Sequence, residues 1–206
     1  GSPEWGPGIA GGGLLFQGGT DALHLSNSDE TNLGGYDQRT VSVWVKVDDE
    51  SVSGDRRQVI YDEGEASRGL NMYLDNEQLY VGGWNRSDDD SQWDGTWLTT
   101  DQFLVGEWNH VTLVQDGSVD SSTDSAYRLS DGALRGYLNG QAFGSGNGSR
   151  LGEHSGRIGV GNINGVTRFH DETRQGEGLI GAMDEIKIFD HALTEIQVQN
   201  LMLMPF

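Results

Sequence analysis

Asp184 and Glu185 stand side by side after the apolar run Ile180-Gly181-Ala182-Met183 and before Ile186 and Ile188 resume alternation. On a strand, neighbours face opposite sides, so one of these carboxylates must point inward. A buried, unpaired carboxylate is costly, and Asp184 therefore needs a partner, either a calcium ion or backbone amides. A second concentration runs from Trp84 and Asn85 to Trp97, with Asp88, Asp89, Asp90, Trp93 and Asp94 between them. Aromatic rings next to carboxylates and amides suit a sugar: the flat pyranose face stacks on indole, and fixed donors and acceptors read the hydroxyls. Equally open is a plainer reading, with the aspartates solvated and the tryptophans in the core. Asp90-x-Gln92-x-Asp94-Gly95 with Asp101 at the twelfth place echoes an EF-hand loop. That echo is discounted, because the third place is Gln, the twelfth lacks the bidentate Glu, and the flanks are not helical. A third group, Arg168, His170 and Asp171, offers donors and acceptors close together, though Arg168 and Asp171 could simply pair and shape their own loop.

Other chemistry is missing. His110 follows Trp108 on a strand with no metal-ligand spacing around it, and reads as a packed histidine. Serine hydrolase, Walker and dinucleotide fingerprints are absent. Glycoside hydrolysis needs two carboxylates across the scissile bond, which sandwich glucanases carry as alternating acids on one strand; no E-x-D-x-x-E run occurs, and Asp184 and Glu185 face opposite ways.

The elements that must position these residues are strands. From Thr40 to Val47, Val41, Val43, Val45 and Val47 fall on one face and Ser42, Trp44 and Lys46 on the other. Similar runs recur at Leu14–Gln17, Ala22–Leu25, Gln58–Tyr61, Leu70–Asp75, Gln78–Val81, His110–Gln115, Leu134–Leu138, Arg157–Val160 and Glu185–Phe189. Asn139-Gly140 is the strongest hairpin signal, since both residues tolerate the positive φ of a type I′ turn. Only the tail reads as helix, with Thr194 and Gln197 forming a capping box ahead of Ile196, Val198 and Leu201. Many short strands with turns between them predict an all-β, two-sheet antiparallel β-sandwich of jelly-roll type with a short C-terminal helical turn.

Composition agrees. A chain of 206 residues fits one sandwich, and 32 glycines against 3 prolines favour tight turns over a proline-rich disordered tract. Residues 1–12 read as a cloning scar and linker, and 13–206 as the domain. The 13 basic residues against 32 acidic ones give −19, which repels nucleic acid and anionic membranes, and no apolar run is long enough to insert. With no cysteine there is neither a disulfide framework nor a thiolate metal site.

Taken in order, LLFQGGTDALHL with TVSVWVKV, GEWNHVTLVQDG with LRGYLNGQAFG, and IGAMDEIKIFDHALTEIQ resemble the laminin G-like, concanavalin A-like jelly-roll family found in bacterial extracellular proteins. The resemblance spans nearly the whole chain. It implies two antiparallel sheets, frequent calcium, and recognition of carbohydrate or protein by loops at one rim or by the concave sheet. Asp184 matches the family's acidic residue that binds structural Ca2+ together with oxygens of the opening region, here Gly18 to Asp21. Similar sequences also pair a TRFHD loop with YDEG-like and GGWN-like segments, matched here by Tyr61–Gly64 and Gly82–Asn85. If those loops meet, Glu63, Trp84 and Asn85 join Trp97, Arg168, His170 and Asp171 in one ligand site. The function expected is a non-catalytic, calcium-dependent, lectin-like module, monomeric within a larger secreted or cell-surface protein such as an adhesin, with a glycan or glycoconjugate as partner. A structural or protein-binding spacer, or a hydrolase or lyase on the same fold, are the alternatives.

Overall fold

The computed structural model describes residues 1–48, 56–86, 93–119, 129–173 and 175–204. Asp88, Asp89, Asp90 and Gln92 of the acidic segment lie outside them. Strands run in chain order as β1 (Glu4–Pro7), β2 (Gly12–Gln17), β3 (Leu23–Leu25), β4 (Gln38–Val47), β5 (Arg57–Gly64), β6 (Arg68–Asp75) and β7 (Gln78–Asn85). They continue as β8 (Trp93–Thr100), β9 (Asn109–Asp116), β10 (Ser130–Leu138), β11 (Gln141–Gly148), β12 (Ile158–Val160), β13 (Glu177–Gly178) and β14 (Ile180–Phe189), before helix α1 (Glu195–Leu203). The first sheet has the order β1-β2-β14-β4-β9-β10-β11, and the second β3-β12-β5-β6-β7-β8 with β13 beside β5. All the pairings are antiparallel except β13 with β5.

The predicted alternation holds where a strand is regular. Val41, Val43, Val45 and Val47 of β4 all enter the space between the sheets, where they meet Leu70, Met72 and Leu74 of β6 and Leu79 and Val81 of β7. Asn139 and Gly140 take φ of 49° and 74°, and join β10 to β11 as the sequence predicts. At the tail Thr194 caps α1, its side chain accepting from the Gln197 amide while Gln197 accepts from the Thr194 amide. Val198 and Leu201 of α1 pack with Val114, Tyr137 and Leu193 on the outer face of the first sheet, whereas Ile196 remains exposed.

The N-terminal stretch expected to be a scar and linker contributes to this sheet. Glu4–Pro7 pair with Gly12–Leu15 as an edge strand, and the turn between them covers Asp184.

His110 is packed, as expected. It is buried on the outer face of the first sheet, with Nε2 2.8 Å from Ser42 Oγ and its ring tilted against Trp44. Burial, aided by Lys187, pushes its pKa down to about 4. The unfolded chain therefore binds a proton between that value and the ordinary histidine pKa of roughly 6.5, while the folded chain does not, so stability falls as pH drops through this window. His110→Gln is expected to flatten this acid limb by up to about 3 kcal/mol, measured as urea midpoints across the window. An unchanged slope would refute the assignment.

Candidate functional site

Strand alternation sends one side of β6 and β7 into the core and the other to the outer face of the second sheet. That outer face carries Asn71 and Tyr73 from β6 and Tyr80, Gly82 and Trp84 from β7, with Trp97 from β8. Asp62, Asn71, Gly82 and Trp97 are register partners in one row across four strands. Gly82 is required there, because a Cβ at that position would overlap the Trp97 ring. Tyr73 and Tyr80 lie opposite each other beside the Asn76-Glu77 turn and stack at 5.1 Å with their planes 3° apart.

Residues 161–176 cross this face. Phe169 is wholly buried against Val59 and Tyr73, with Ile163, Tyr80 and Trp97 around it, and the Arg57 guanidinium lies 4.4 Å from its ring centroid. The Arg168 carbonyl accepts from Asn71 Nδ2 at 2.6 Å. Its guanidinium reaches the Asp94 carbonyl at 2.6 Å and Glu172 at 3.2 Å, with the Trp97 ring 5.8 Å away. His170 stacks on Tyr80 at 4.2 Å. The Tyr73 hydroxyl accepts from the His170 amide at 3.0 Å and lies 2.9 Å from the His170 Nδ1, so the ring is held from two sides. Arg57 ties Asp75 at 2.5 Å and Asp171 at 3.0 Å, and also contacts Thr173. Partial burial opposes the charge on Asp171, but hydrogen bonds from Arg57 and Thr173 outweigh it and hold the carboxyl well below the usual carboxylate range. These groups border an open polar cleft of about 800 Å3 lined by Arg57, Asp75, Asn76, His170, Asp171 and Thr173 among others.

The segments read as meeting at one end do meet, on this outer face, but not all of their residues reach solvent. His170 and Asp171 are exposed and Trp97 is half-buried. Arg168 and Trp84 are buried; Trp84 stacks on Trp97 at 6.1 Å and donates to the Glu65 carbonyl. Asn85 is buried with its amide on the Arg150 carbonyl. Glu63 belongs to the interior between the sheets, where Tyr36, Tyr61, Arg39 and His154 surround it. A register shift between Val59 and Tyr61 is the cause: it puts Ile60 and Tyr61 both inward, so that Asp62 faces out and Glu63 in. Arg57, Asp75, Tyr73, Tyr80 and Thr173 were not apparent from the sequence, although Tyr73 and Tyr80, placed symmetrically about Asn76-Glu77, were a readable hairpin pair.

Gly18, Asp21 and Asp184 do not fit a shared calcium ion. Gly18 donates to Leu179 and Gln17 pairs with Ile180, while Asp184 lies four residues further along β14, roughly 13 Å away at strand rise. Asp184 is capped by the Ala10 and Glu185 amides at 3.0 and 2.8 Å, and Asp21 by the Gln17 amide at 3.0 Å. Asp184 thus has the backbone partners that the sequence left open as its alternative. It sits under the N-terminal turn on the outer face, and a bulge after it gives Glu185 a φ of 52°. Among the described residues, no cluster of three or more His, Cys, Asp or Glu side chains could hold a metal.

A family model described as the concanavalin A-like lectin/glucanases superfamily, of laminin G type, matches residues 17–199. No curated protein sequence matches the chain. Among solved structures, the botulinum neurotoxin serotype G binding domain is similar with a TM-score of 0.65 and 13% identity, over 98% of this chain and 44% of that one. The serotype D ligand-binding domain in complex with N-acetylneuraminic acid gives 0.63 and 15%, over 98% and 46%. The CBM40 of a Ruminococcus gnavus IT-sialidase, bound to α2,3-sialyllactose, gives 0.59 and 13%, over 92% and 96%. The chain thus spans less than half of the neurotoxin binding domains it resembles.

Proposed function

This chain belongs to the concanavalin A-like lectin/glucanases superfamily, and from that membership we propose that it is a non-catalytic carbohydrate-binding module within a larger extracellular protein. One observation carries the reading: the 161–176 crossing fixes exposed His170 and Asp171 at the mouth of a polar cleft, beside a stacked aromatic row. Each hydrogen-bonding group there is held by a second group, so its orientation is set before a ligand arrives, which lowers the ordering cost of binding. Binding in similar structures, which hold N-acetylneuraminic acid and sialyllactose, supports a glycan as partner.

The charges of this cleft favour a neutral sugar. Among the described lining residues Arg57 is the cation, already tied to Asp75 and Asp171, and the third carboxylate, Glu177, is paired with Arg56 at 2.6 Å, so these groups together leave one negative charge over. A carboxylated sugar would meet net negative charge, whereas neutral hydroxyl pairs find the carboxylate acceptors and the exposed His170 imidazole. Non-catalysis is supported by the tie itself: Asp171, held ionised by Arg57 and Thr173, is a poor general acid.

A glycan array with the intact chain is the test. Binding is expected among neutral glycans, lost in Asp171→Ala and His170→Ala, with no release of reducing sugar. Binding confined to sialylated glycans, or retained in both variants, would count against this reading.

A further inference from the structure

Three Asn-Gly pairs occur in the chain, at 139–140, 147–148 and 164–165. Such a pair can deamidate without an enzyme: the glycine amide nitrogen attacks the asparagine Cγ and closes a five-membered imide. Glycine is the successor that permits this best, because no side chain shields its nitrogen. In a folded protein the ring closes only where the two residues are loosely held, since the nitrogen must swing toward Cγ.

Two of the pairs are held. Asn139 donates its amide to the His110 carbonyl at 2.8 Å and accepts the His110 amide on Oδ1 at 2.8 Å, so backbone and side chain are both pinned in the β10–β11 turn. Asn147 is exposed but lies within β11, and Gly148 after it is buried opposite Ser130, where a Cβ would come within 2.9 Å of the Ala133 side chain. Asn164-Gly165 is different. Among the described residues, neither the Asn164 side chain nor the Gly165 amide makes a hydrogen bond. Gly165 is exposed with a φ of 96°, and a Cβ there would meet nothing within 4 Å. The pair forms a tip of the 161–176 crossing between two anchors: residues 162–164 press on Gly159 of β12 before it, and Thr167 is wholly buried after it.

We propose that Asn164 is a site of self-deamidation, a slow one-way switch in the crossing that borders the polar cleft. The Gly165 nitrogen forms a bond to Asn164 Cγ, the Cγ–Nδ2 bond breaks, and the Gly165 amide proton leaves with Nδ2 as ammonia. Water then adds at one imide carbonyl or the other and opens the ring, to aspartate or to isoaspartate. Either product carries a new carboxylate on the residue whose amide Asp62 accepts at 3.2 Å. Asp62 is 1% exposed, and a second negative charge beside it is repulsive where little water screens it. Isoaspartate also lengthens the backbone by one methylene between the two anchors. Ile163 and Gly165 line the cleft, so both products alter its wall. The reaction stands whether or not that cleft binds sugar.

Ageing the intact chain in mildly alkaline buffer, followed by peptide mapping with fragmentation that separates aspartate from isoaspartate, tests it. Asn164 is expected to convert about tenfold or more faster than Asn139 or Asn147, with ammonia released in step. The guanidinium-unfolded chain is the control, in which the three pairs should convert at similar rates. Asn164→Gln should abolish the fast conversion, because glutamine closes only the slower six-membered ring. Asn164→Asp installs the charge without the isoaspartate, and should lower the Tm by about 2–4 °C relative to Asn164→Gln. Conversion at Asn164 no faster than at the other two pairs in the folded chain overturns the proposal. A Tm no lower in Asn164→Asp than in Asn164→Gln overturns the effect on the crossing.

Discussion

Glu63→Gln is expected to destabilise the domain by about 3–5 kcal/mol, because it leaves a buried guanidinium without its counter-charge. Glu63 and Arg39 are 0% and 3% exposed, and their charged atoms lie 3.4 Å apart. Around Glu63 the Tyr36 and Tyr61 hydroxyls donate at 2.7 and 2.5 Å, and His154 Nε2 lies 3.3 Å away. Arg39 also donates to the Thr31 carbonyl and lies 3.8 Å over the Tyr36 ring. Burial alone would raise the Glu63 pKa, but Arg39 and the His154 and Tyr61 hydrogen bonds overcome it and hold the carboxyl below its ordinary value. Its contribution is then complete above the ordinary glutamate pKa, roughly 4.3, and lost as pH falls through the lowered folded value. Urea unfolding at neutral pH measures the loss. The double variant Glu63→Gln/Arg39→Met should recover much of it, since removing both charges relieves the unpaired one. A single-variant cost under about 1 kcal/mol would show that the pair is not holding that end of the sandwich.

Phe169→Ala is expected to cost a similar amount, about 3–5 kcal/mol, and to abolish ligand binding as well. The ring is the apolar anchor of the 161–176 crossing, and it supports His170 and Asp171 from below. Arg57 spans the same ring to hold Asp171, so losing the ring also removes the surface on which that ion pair rests. Melting curves and glycan titration on one preparation separate the two effects. Unchanged stability would mean that other contacts carry the crossing. Retained affinity in a destabilised variant would place the binding surface elsewhere.

Regular strands were legible in the sequence and irregular ones were not. The valines of β4, the Asn139-Gly140 turn and the Thr194 cap each carry local information, and the structure repeats them. Trp93 and Trp97 show where this ends. Four residues apart, they would share a face on a regular strand, yet Trp93 is in the core and Trp97 on the outer face. Gly95 between them takes a φ of 129°, and the β7–β8 register shifts between Gly83 and Asn85. The shift between Val59 and Tyr61 misplaced Glu63 in the same way, and the bulge after Asp184 broke the alternation in β14. A bulge is a mismatch in count between two strands, so it cannot be read from either alone. The linker reading of the N-terminus failed for a related reason: Gly8–Gly11 looks like a flexible tract until its turn is seen covering Asp184. What the sequence did supply for the site was its cluster of segments, because residues that meet across a face kept their short local patterns.

Mapping amide chemical shifts during titration with a glycan selected on the array shows whether ligand is taken at the cleft beside the 161–176 crossing. Amides of Asn76, His170, Asp171 and Thr173 are expected to move together and saturate, while those of Ile196 and Leu203 on α1 stay still. Shifts gathered instead around α1, with the cleft amides unmoved, would place the ligand on the opposite sheet.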